Sequence, residues 1–297
     1  MDKKIDFIGL GAAKSGTSWL AYLLEQHPEV ELSTRKEVAY FNEKSFDGKP
    51  NDTYGFSLDY YHDFWSFKTH QLQGEFSPQY LFDPSAAAKI KAYSENLKFI
   101  VILRNPVDRA FSHFRYDQGF NQLISKKYNF EEALEQHPYL LETGKYGEQL
   151  NRYFKLFPKH QFKVFFLENA IANPRDTASS LYAFLGIDPE FCPNLSAVNE
   201  SKEISDNLLT KLVQWPVRAK QKLEAESPLF RKVMGPLKQK KWYVHLVDRK
   251  TKIIEDQSVP MEKGVMSEEE KKRVKSYFEE DLKLLESLVG GVPPSWR

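Results

Sequence analysis

Short runs of apolar residues alternate with helical patterns along the first two-thirds of the chain. Three runs have the continuous apolar character of strands buried on both faces: Ile5–Leu10, Leu97–Leu103 and Phe162–Leu167. Apolar residues with helical spacing lie between and beyond these runs, at Thr17–Gln26, Pro84–Tyr93, Pro106–Phe114, Tyr146–Phe157 and Thr177–Leu185. Alternation of this kind predicts an α/β fold in which a central parallel sheet is covered by helices.

The pattern changes near residue 200. Prolines at 216, 228, 236 and 260 break the following region into short pieces, and one long amphipathic helix is predicted at Glu268–Val289. We therefore expect a single domain over residues 1–297. It comprises an α/β core at residues 5–200 and a mainly helical C-terminal section at residues 201–297.

Composition places the chain among ordinary globular proteins. Its 297 residues are 41% hydrophobic and 28% charged. No stretch reaches the ~18 apolar residues that span a bilayer, and the N-terminus lacks an apolar signal segment, so we expect a cytoplasmic protein without a transmembrane segment. The single cysteine, Cys192, allows no internal disulfide and no cysteine-rich metal site.

Charge is distributed unevenly. Between Lys211 and Lys252 there are twelve Lys or Arg and three acids, so this stretch carries +9 and the remainder −8 of the net +1. Such a stretch favours contact with an acidic partner or an anionic membrane surface, and a solvated basic face is the plain alternative. No nucleic-acid partner is expected.

The first strand leads into a loop suited to phosphate. Gly11-Ala12-Ala13-Lys14-Ser15-Gly16-Thr17-Ser18-Trp19 follows the Ile5–Leu10 run and opens a helix. A strand, a loop of small residues and a helix start direct backbone amides and the helix dipole at an anion. The spacing of Gly11 and Gly16 is that of a nucleotide P-loop, but Thr17 stands where that loop has lysine. A solvated loop residue is the alternative for Lys14.

A second phosphate-binding motif follows the Leu97–Leu103 run. Arg104 stands at the strand end and offers a fork of donors to a phosphate, and Ser112 adds a hydroxyl two turns into the next helix. Arg109 in the same helix is interpreted as a structural or helix-surface residue. Two such loops in this order favour a P-loop-type sheet in which both loops lie at the carboxyl edge.

The two motifs resemble those of sulfotransferases that use 3'-phosphoadenosine 5'-phosphosulfate (PAPS), and the bacterial and Golgi carbohydrate branch in particular. The likeness runs from about Ile5 to Gly186 and, more loosely, through the last helix. It implies a 5'-phosphosulfate site and a 3'-phosphate site, and no metal. The donor-binding residues that it implies are Lys14, Ser15, Gly16, Thr17, Ser18, Trp19, Arg104, Ser112 and, in a weaker match to the family's basic loop, Lys202.

The resemblance also implies a general base. Thr34–Phe41 is similar to the family segment whose glutamate takes the acceptor proton, which assigns that role to Glu37. It makes Lys36 a candidate substrate-binding residue beside the donor or Glu37, and a plain surface lysine is the alternative. Gly74–Tyr80 is similar to a further segment, in which Glu75 is a second candidate carboxylate. Phe76, however, stands where glycan-modifying members carry a lysine, which weakens the case for a heparan-like acceptor.

Three further residues complete the candidate site. Tyr146 lies in a segment similar to the family's helix beneath the acceptor site, so we expect it to contact substrate. His62 and His70 are the fallback bases, because the cytosolic branch of the family often uses an imidazole. An exposed, salt-bridging side chain is the alternative for Glu37.

We therefore expect an enzyme that moves a sulfuryl group from PAPS to a hydroxyl or amine, with Glu37 as base, Lys14 at the leaving group and 3',5'-ADP as product. The acceptor is open between a small molecule, a saccharide, a lipid and a carrier-bound substrate. Two rivals remain, a P-loop ATP-dependent kinase or NTPase and a non-catalytic nucleotide-binding scaffold. The kinase is disfavoured because Leu103 leads to Arg104 rather than to a Mg²⁺-binding acid.

Overall fold

In the computed structural model, residues 4–68, 70–195, 202–204, 258–260 and 264–297 are described, the two short central pieces by their backbone alone. A sheet of five parallel strands forms the centre, in the order β2-β3-β1-β4-β5. These strands are β1 Phe7–Gly11, β2 Val30–Leu32, β3 Leu72–Phe76, β4 Lys98–Leu103 and β5 Phe162–Phe166. The α/β class that the alternating pattern predicts is confirmed.

Helices flank this sheet. Those in the described residues are α1 Thr17–Glu25, α2 Leu58–His62, α3 Gln79–Phe82, α4 Ala86–Tyr93, α5 Pro106–Gly119, α6 Phe130–Gln136, α7 Tyr139–Glu142, α8 Tyr146–Phe154, α9 Leu167–Ala172, α10 Pro174–Leu185 and α11 Glu268–Val289. The prediction for α11 has the observed bounds, and α5 continues beyond its predicted end at Phe114. None of these helices is long and apolar enough to cross a membrane.

Strands β1 and β4 are neighbours, as the two phosphate motifs require. They pair in parallel with Phe7 opposite Lys98 and Gly9 opposite Ile100, and the register shifts between Gly9 and Gly11. Both strands are buried along almost their whole length, in keeping with the continuous apolar runs. Because the chain runs to β2 and β3 on one side of β1 and to β4 on the other, the carboxyl ends of β1 and β4 flank a topological switch point, where α/β sheets bind ligands.

The pattern of apolar runs did not predict strands β2 and β3. β2 has three residues, and β3 carries Gln73, Gly74 and Glu75 in place of a run of apolar side chains. These polar residues are nevertheless buried, with Gln73 7% and Glu75 0% exposed. A rule that requires apolar residues in a buried strand therefore misses β3, because hydrogen bonds satisfy its polar groups within the protein.

Helix α1 is anchored from its apolar face. Trp19, Leu20, Leu23 and Leu24 pack in one buried cluster with α10, where the hydroxyl of Tyr182 donates to the carbonyl of Leu23 at 2.8 Å. Burial of side chains of this size stabilises by about 1.5–3 kcal/mol each. The anchored helix fixes the position of its own amino end, which lies at the carboxyl edge of the sheet.

Helix α8 is held by a carboxylate from α11. Asp281 accepts hydrogen bonds from the amides of Gly147 and Glu148 at 2.9 and 2.8 Å. The backbones approach closely there, because a Cβ on Gly147 would lie 2.5 Å from the Asp281 carbonyl oxygen. Burial raises the pKa of Asp281 although the two amides act against this. These hydrogen bonds give partners to two backbone amides in the first turn of α8. Tyr146, the first residue of α8, lies near the edge of the sheet.

The chain divides into two compact units, residues 1–114, 127–199 and 264–297 and residues 115–126 and 200–263. In the second unit, β6 Lys202–Ile204 and β7 Ser258–Pro260 pair antiparallel. The basic stretch 211–252 and the side chain of Lys202 lie outside the described residues. The single domain over residues 1–297 stays a prediction.

Candidate active site

The loop after β1 has the geometry of an anion site. Gly16 precedes α1 with a left-handed φ of 97°, and Lys14 adopts φ 64° although it is not glycine. The left-handed φ favours glycine at position 16, and a Cβ there would also lie 2.8 Å from the end of the Leu167 side chain. The loop thus turns sharply into α1 and leaves the first amides of the helix at the carboxyl edge of the sheet.

The loop after β4 meets the loop after β1. Arg104 donates through Nη1 to the carbonyl of Lys14 at 3.4 Å, and the Tyr146 hydroxyl donates to the carbonyl of Arg104 at 3.0 Å. Burial raises the pKa of Tyr146 to about 12, so its hydroxyl stays protonated and remains a donor. The structure therefore brings the Arg104 side chain to the backbone of the Lys14 loop and the Tyr146 hydroxyl to the backbone of Arg104, and the guanidinium of Arg104 is suited to phosphate.

The other residues that the sequence analysis assigned to nucleotide binding differ in their exposure to solvent. Ser15, Thr17 and Trp19 are buried, and Trp19 belongs to the apolar cluster beneath α1. Ser18 and Ser112 are half-buried. The backbone of the loop and the partly exposed side chains of Ser18 and Ser112 are thus the groups best placed to contact a bound nucleotide. Trp19 instead packs beneath α1 and holds that helix in place.

Arg109 and His113 form a buried pair on α5. Arg109 is 0% exposed, approaches Nδ1 of His113 with Nη1 at 3.0 Å and donates through Nη2 to the carbonyl of Leu140. Burial, with the charges of Arg109 and Lys14, holds the pKa of His113 well below its ordinary value. His113 is therefore neutral at neutral pH and can accept from Arg109. Arg109 was interpreted either as a structural residue or as a residue on the helix surface. Its complete burial supports the first interpretation and excludes the second.

Glu37 faces a cavity that also borders the phosphate loop. The cavity has a volume of about 320 Å³, and Glu37 is half-buried at its wall. Gln79 donates to Oε2 of Glu37 at 3.1 Å. The residues lining the cavity are Thr17, Ser18, Ala21, Tyr22, Glu25, Leu32, Ser33, Thr34, Lys36, Glu37, Glu75 and Phe76. A candidate base and the start of α1 thus share one cavity, although Glu37 and Ser18 are far apart in sequence.

Two other predicted substrate residues lie in the same cavity wall. Lys36 is exposed there. Glu75 is fully buried, and its oxygens accept from the hydroxyls of Tyr61, Ser77 and Tyr80 at 2.6, 2.6 and 3.0 Å. Burial raises the pKa of Glu75 while these donors oppose the shift. The sequence analysis missed these three hydroxyl donors. The available signal was that Ser77 and Tyr80 both follow closely after Glu75 in the sequence.

The fallback histidines lie elsewhere. His62 is half-buried among aromatic rings, with Nε2 at 3.2 Å from the Tyr93 hydroxyl, and it also contacts the ring of Phe67. His70 is exposed. Neither belongs to the residues that line the cavity. Packing of the aromatic segment explains His62 without a chemical role.

Among the described parts of the chain, no group of three or more His, Cys, Asp or Glu could hold a metal ion. What the arrangement offers is a helix start and a carboxylate on one cavity, with Arg104 against the backbone of the Lys14 loop at the same edge of the sheet. This combination suits transfer of an anionic group to a nucleophile that must lose a proton.

Residues 4–283 match the family model described as a sulfotransferase domain. Among curated proteins, the chain is 30% identical over 159 residues to a membrane-associated sulfotransferase of Dictyostelium discoideum, covering 52% of this chain and 32% of that protein. It is 27% identical over 207 residues to a human bifunctional heparan sulfate N-deacetylase/N-sulfotransferase, covering 63% and 22%. The chain thus spans a third or less of the length of these two relatives.

A solved structure shares the fold over the full chain. The structure of a sulfotransferase from Alicyclobacillus acidocaldarius aligns with a TM-score of 0.69 at 23% identity and covers 99% of both chains. At this identity the likeness concerns the fold alone.

Proposed function

Since the chain belongs to the sulfotransferase domain family, we propose that it transfers the sulfuryl group of PAPS to a hydroxyl or amine of an acceptor. The observation that carries this proposal is the shared geometry of three loops. Arg104 contacts the Lys14 loop at the ends of two adjacent strands, and Glu37 lines the cavity that Thr17 and Ser18 border.

The residues present fit the proposed donor. Lys14 and the amino end of α1 would hold the 5'-phosphosulfate, and Arg104 and Ser112 the 3'-phosphate; Lys202, which lies outside the described side chains, stays a further prediction for that phosphate. The donor supplies a sulfuryl group on a good leaving group, so the protein needs to supply charge and position rather than covalent chemistry. The contact between Arg104 and the Lys14 loop gathers this positive charge at the carboxyl edge of the sheet.

In the proposed mechanism, Glu37 removes the proton of the acceptor hydroxyl or amine as that atom forms its bond to sulfur. The bond between sulfur and the bridging phosphate oxygen breaks in line, and 3',5'-ADP leaves. Lys14 and the loop amides stabilise the charge that develops on the departing oxygen. Gln79 orients the Glu37 carboxylate through the 3.1 Å hydrogen bond.

This assignment is favoured over a kinase. Thr17 follows Gly16 where P-loop kinases have a lysine, and β4 is followed by Arg104 rather than by an acid. A non-catalytic scaffold would need no carboxylate beside the anion loop, whereas Glu37 is held there by Gln79.

The charge of the cavity bears on the acceptor. Four charged residues line it: Glu25 and Lys36 are exposed, Glu37 is half-buried and Glu75 is fully buried. Its apolar surface comes from Ala21, Tyr22, Leu32 and Phe76. The ring of Phe76 packs over Gly9, where a Cβ would lie 2.0 Å from it. We propose that the reacting end of the acceptor is neutral or cationic. An acidic carrier at residues 211–252 stays a separate prediction.

We test the transfer and this acceptor class together with labelled PAPS and three primary alcohols of equal length that end in methyl, ammonium or sulfonate. We expect kcat/KM for the neutral and cationic alcohols to exceed that for the sulfonate by about fivefold, because one charge contact at a surface contributes ~1 kcal/mol. Glu25→Lys should reduce or reverse this preference, with Glu25→Gln intermediate. Preference for the sulfonate in the unaltered protein would contradict the proposed class.

A further inference from the structure

Three consecutive amides after Glu37 are tied to one buried carboxylate. The amide of Val38 lies close to Glu75 and, as a backbone donor, lowers the pKa of its carboxyl. The amide of Ala39 donates to the Ser77 hydroxyl at 2.9 Å, and the amide of Tyr40 donates to the Tyr80 hydroxyl at 2.7 Å. Both hydroxyls in turn donate to Glu75. Segment 38–40 is therefore linked to Glu75 either directly or through a single hydroxyl.

The hydrogen bonds from the loop to Glu75 have a fixed direction. The loop amides can only donate, so the Ser77 and Tyr80 hydroxyls accept from them and direct their own protons at the oxygens of Glu75. If a neutral amide replaces the carboxylate, the two hydroxyls can rotate. Their oxygens are then no longer held in position to accept from the amides of Ala39 and Tyr40. Charge-assisted bonds of this kind are roughly twice as strong as neutral ones.

The loop needs such anchors because its backbone is strained. Glu37 has φ 57° and Ala39 has φ 52°, both in the left-handed region that non-glycine residues rarely occupy. Each residue held there costs about 1–3 kcal/mol and persists only where surrounding contacts determine it. The three anchored amides, with Gln79 on the Glu37 carboxylate, provide those contacts.

From this geometry we infer that Glu75 is a positioning residue that acts through the backbone of residues 38–40 to fix Glu37 at the cavity. The inference rests on the proposed role of Glu37 as base. Glu75 is not a second base, because it is 0% exposed and its two oxygens already accept from Tyr61, Ser77 and Tyr80.

Two tyrosines provide a matched pair of variants. Tyr61 and Tyr80 are both fully buried and both donate to Oε1 of Glu75, but only Tyr80 also accepts a loop amide. We expect Tyr80→Phe to lower kcat about tenfold with KM for PAPS little changed, since small misplacement of a reacting group has effects of this order. Tyr61→Phe should have a clearly smaller effect. Ser77→Ala and Glu75→Gln should resemble Tyr80→Phe.

A double-mutant cycle shows whether the effect passes through Glu37. Once Glu37→Gln has removed the base, adding Tyr80→Phe should change kcat by less than about twofold, because the position of the side chain at residue 37 no longer affects the reaction. Equal losses from Tyr80→Phe and Tyr61→Phe, or full additivity with Glu37→Gln, would overturn the inference. If Glu75→Gln were inactive while Tyr80→Phe and Ser77→Ala were normal, Glu75 would act directly instead.

Amide hydrogen exchange separates this inference from the proposed function. The amides of Val38, Ala39 and Tyr40 should be protected in the unaltered protein, and Tyr80→Phe should accelerate exchange at Tyr40 at least about tenfold. Unprotected amides at these positions would refute the proposed anchoring of residues 38–40, whether or not the protein transfers a sulfuryl group. Protected amides in a protein that transfers no sulfuryl group would refute the proposed function and the catalytic purpose of the anchor, but leave the anchor itself standing.

Discussion

Replacing Glu37 with glutamine is expected to lower kcat by about 10²- to 10⁴-fold, equivalent to roughly 3–5 kcal/mol of barrier. The amide keeps the shape of the side chain and much of its polarity but cannot take the acceptor proton. Binding of 3',5'-ADP should be nearly unchanged, because the proposed donor contacts come from Lys14, Arg104 and Ser112. Turnover with labelled PAPS and calorimetric binding of 3',5'-ADP measure the two quantities separately.

The matched control is Glu43→Gln. Glu43 follows Glu37 in the same connection between β2 and α2 and pairs with Lys89 at 2.8 Å, outside the residues that line the cavity. This control should retain most of the activity. Near-normal turnover of Glu37→Gln, together with loss of activity in a His62 or His70 variant, would show that the base is an imidazole and that the likeness to the carbohydrate branch misleads.

Replacing Lys14 with alanine is expected to affect donor binding and chemistry together. A hydrogen bond from a charged group contributes about 1.5–3 kcal/mol, so Kd for 3',5'-ADP should rise about tenfold to a hundredfold. The loss of a donor at the leaving oxygen should lower kcat by a further 10²- to 10³-fold or thereabouts. Calorimetry gives the first value, and saturating turnover with labelled PAPS gives the second.

Lys14→Met is the control for side-chain bulk, since it keeps an unbranched side chain and removes the charge. It should behave like Lys14→Ala. If both variants raise Kd but leave kcat unchanged at saturating donor, Lys14 only binds the nucleotide and has no part in stabilising the leaving group.

The parts of the fold that form the proposed nucleotide site could be predicted from sequence. Continuous apolar runs identify β1 and β4 because strands buried on both faces have no polar face, and the phosphate motifs follow directly at their ends. The contact between Arg104 and Lys14 is then a consequence of parallel pairing. Local patterns suffice here because each motif lies within a few residues of the strand that places it.

The acceptor side could not be predicted in this way. β3 buries Glu75 in place of an apolar side chain, and Glu37 lies in a connection with no periodic pattern. The backbone that follows it donates to Ser77 and Tyr80, about forty residues away in sequence. Only the family resemblance pointed to Glu37, and it gave no indication that Glu75 anchors the loop.

The most direct measurement for the central claim compares two nucleotides in thermal unfolding. With Arg104 and Ser112 at a 3'-phosphate, 3',5'-ADP should stabilise the protein far more than 5'-AMP, by ~4 kcal/mol if millimolar ligand binds with micromolar Kd. Arg104→Ala should remove most of the difference between the nucleotides. A large rise in Tm with 3',5'-ADP and a small one with 5'-AMP is the result that the account predicts; equal shifts with both would contradict it.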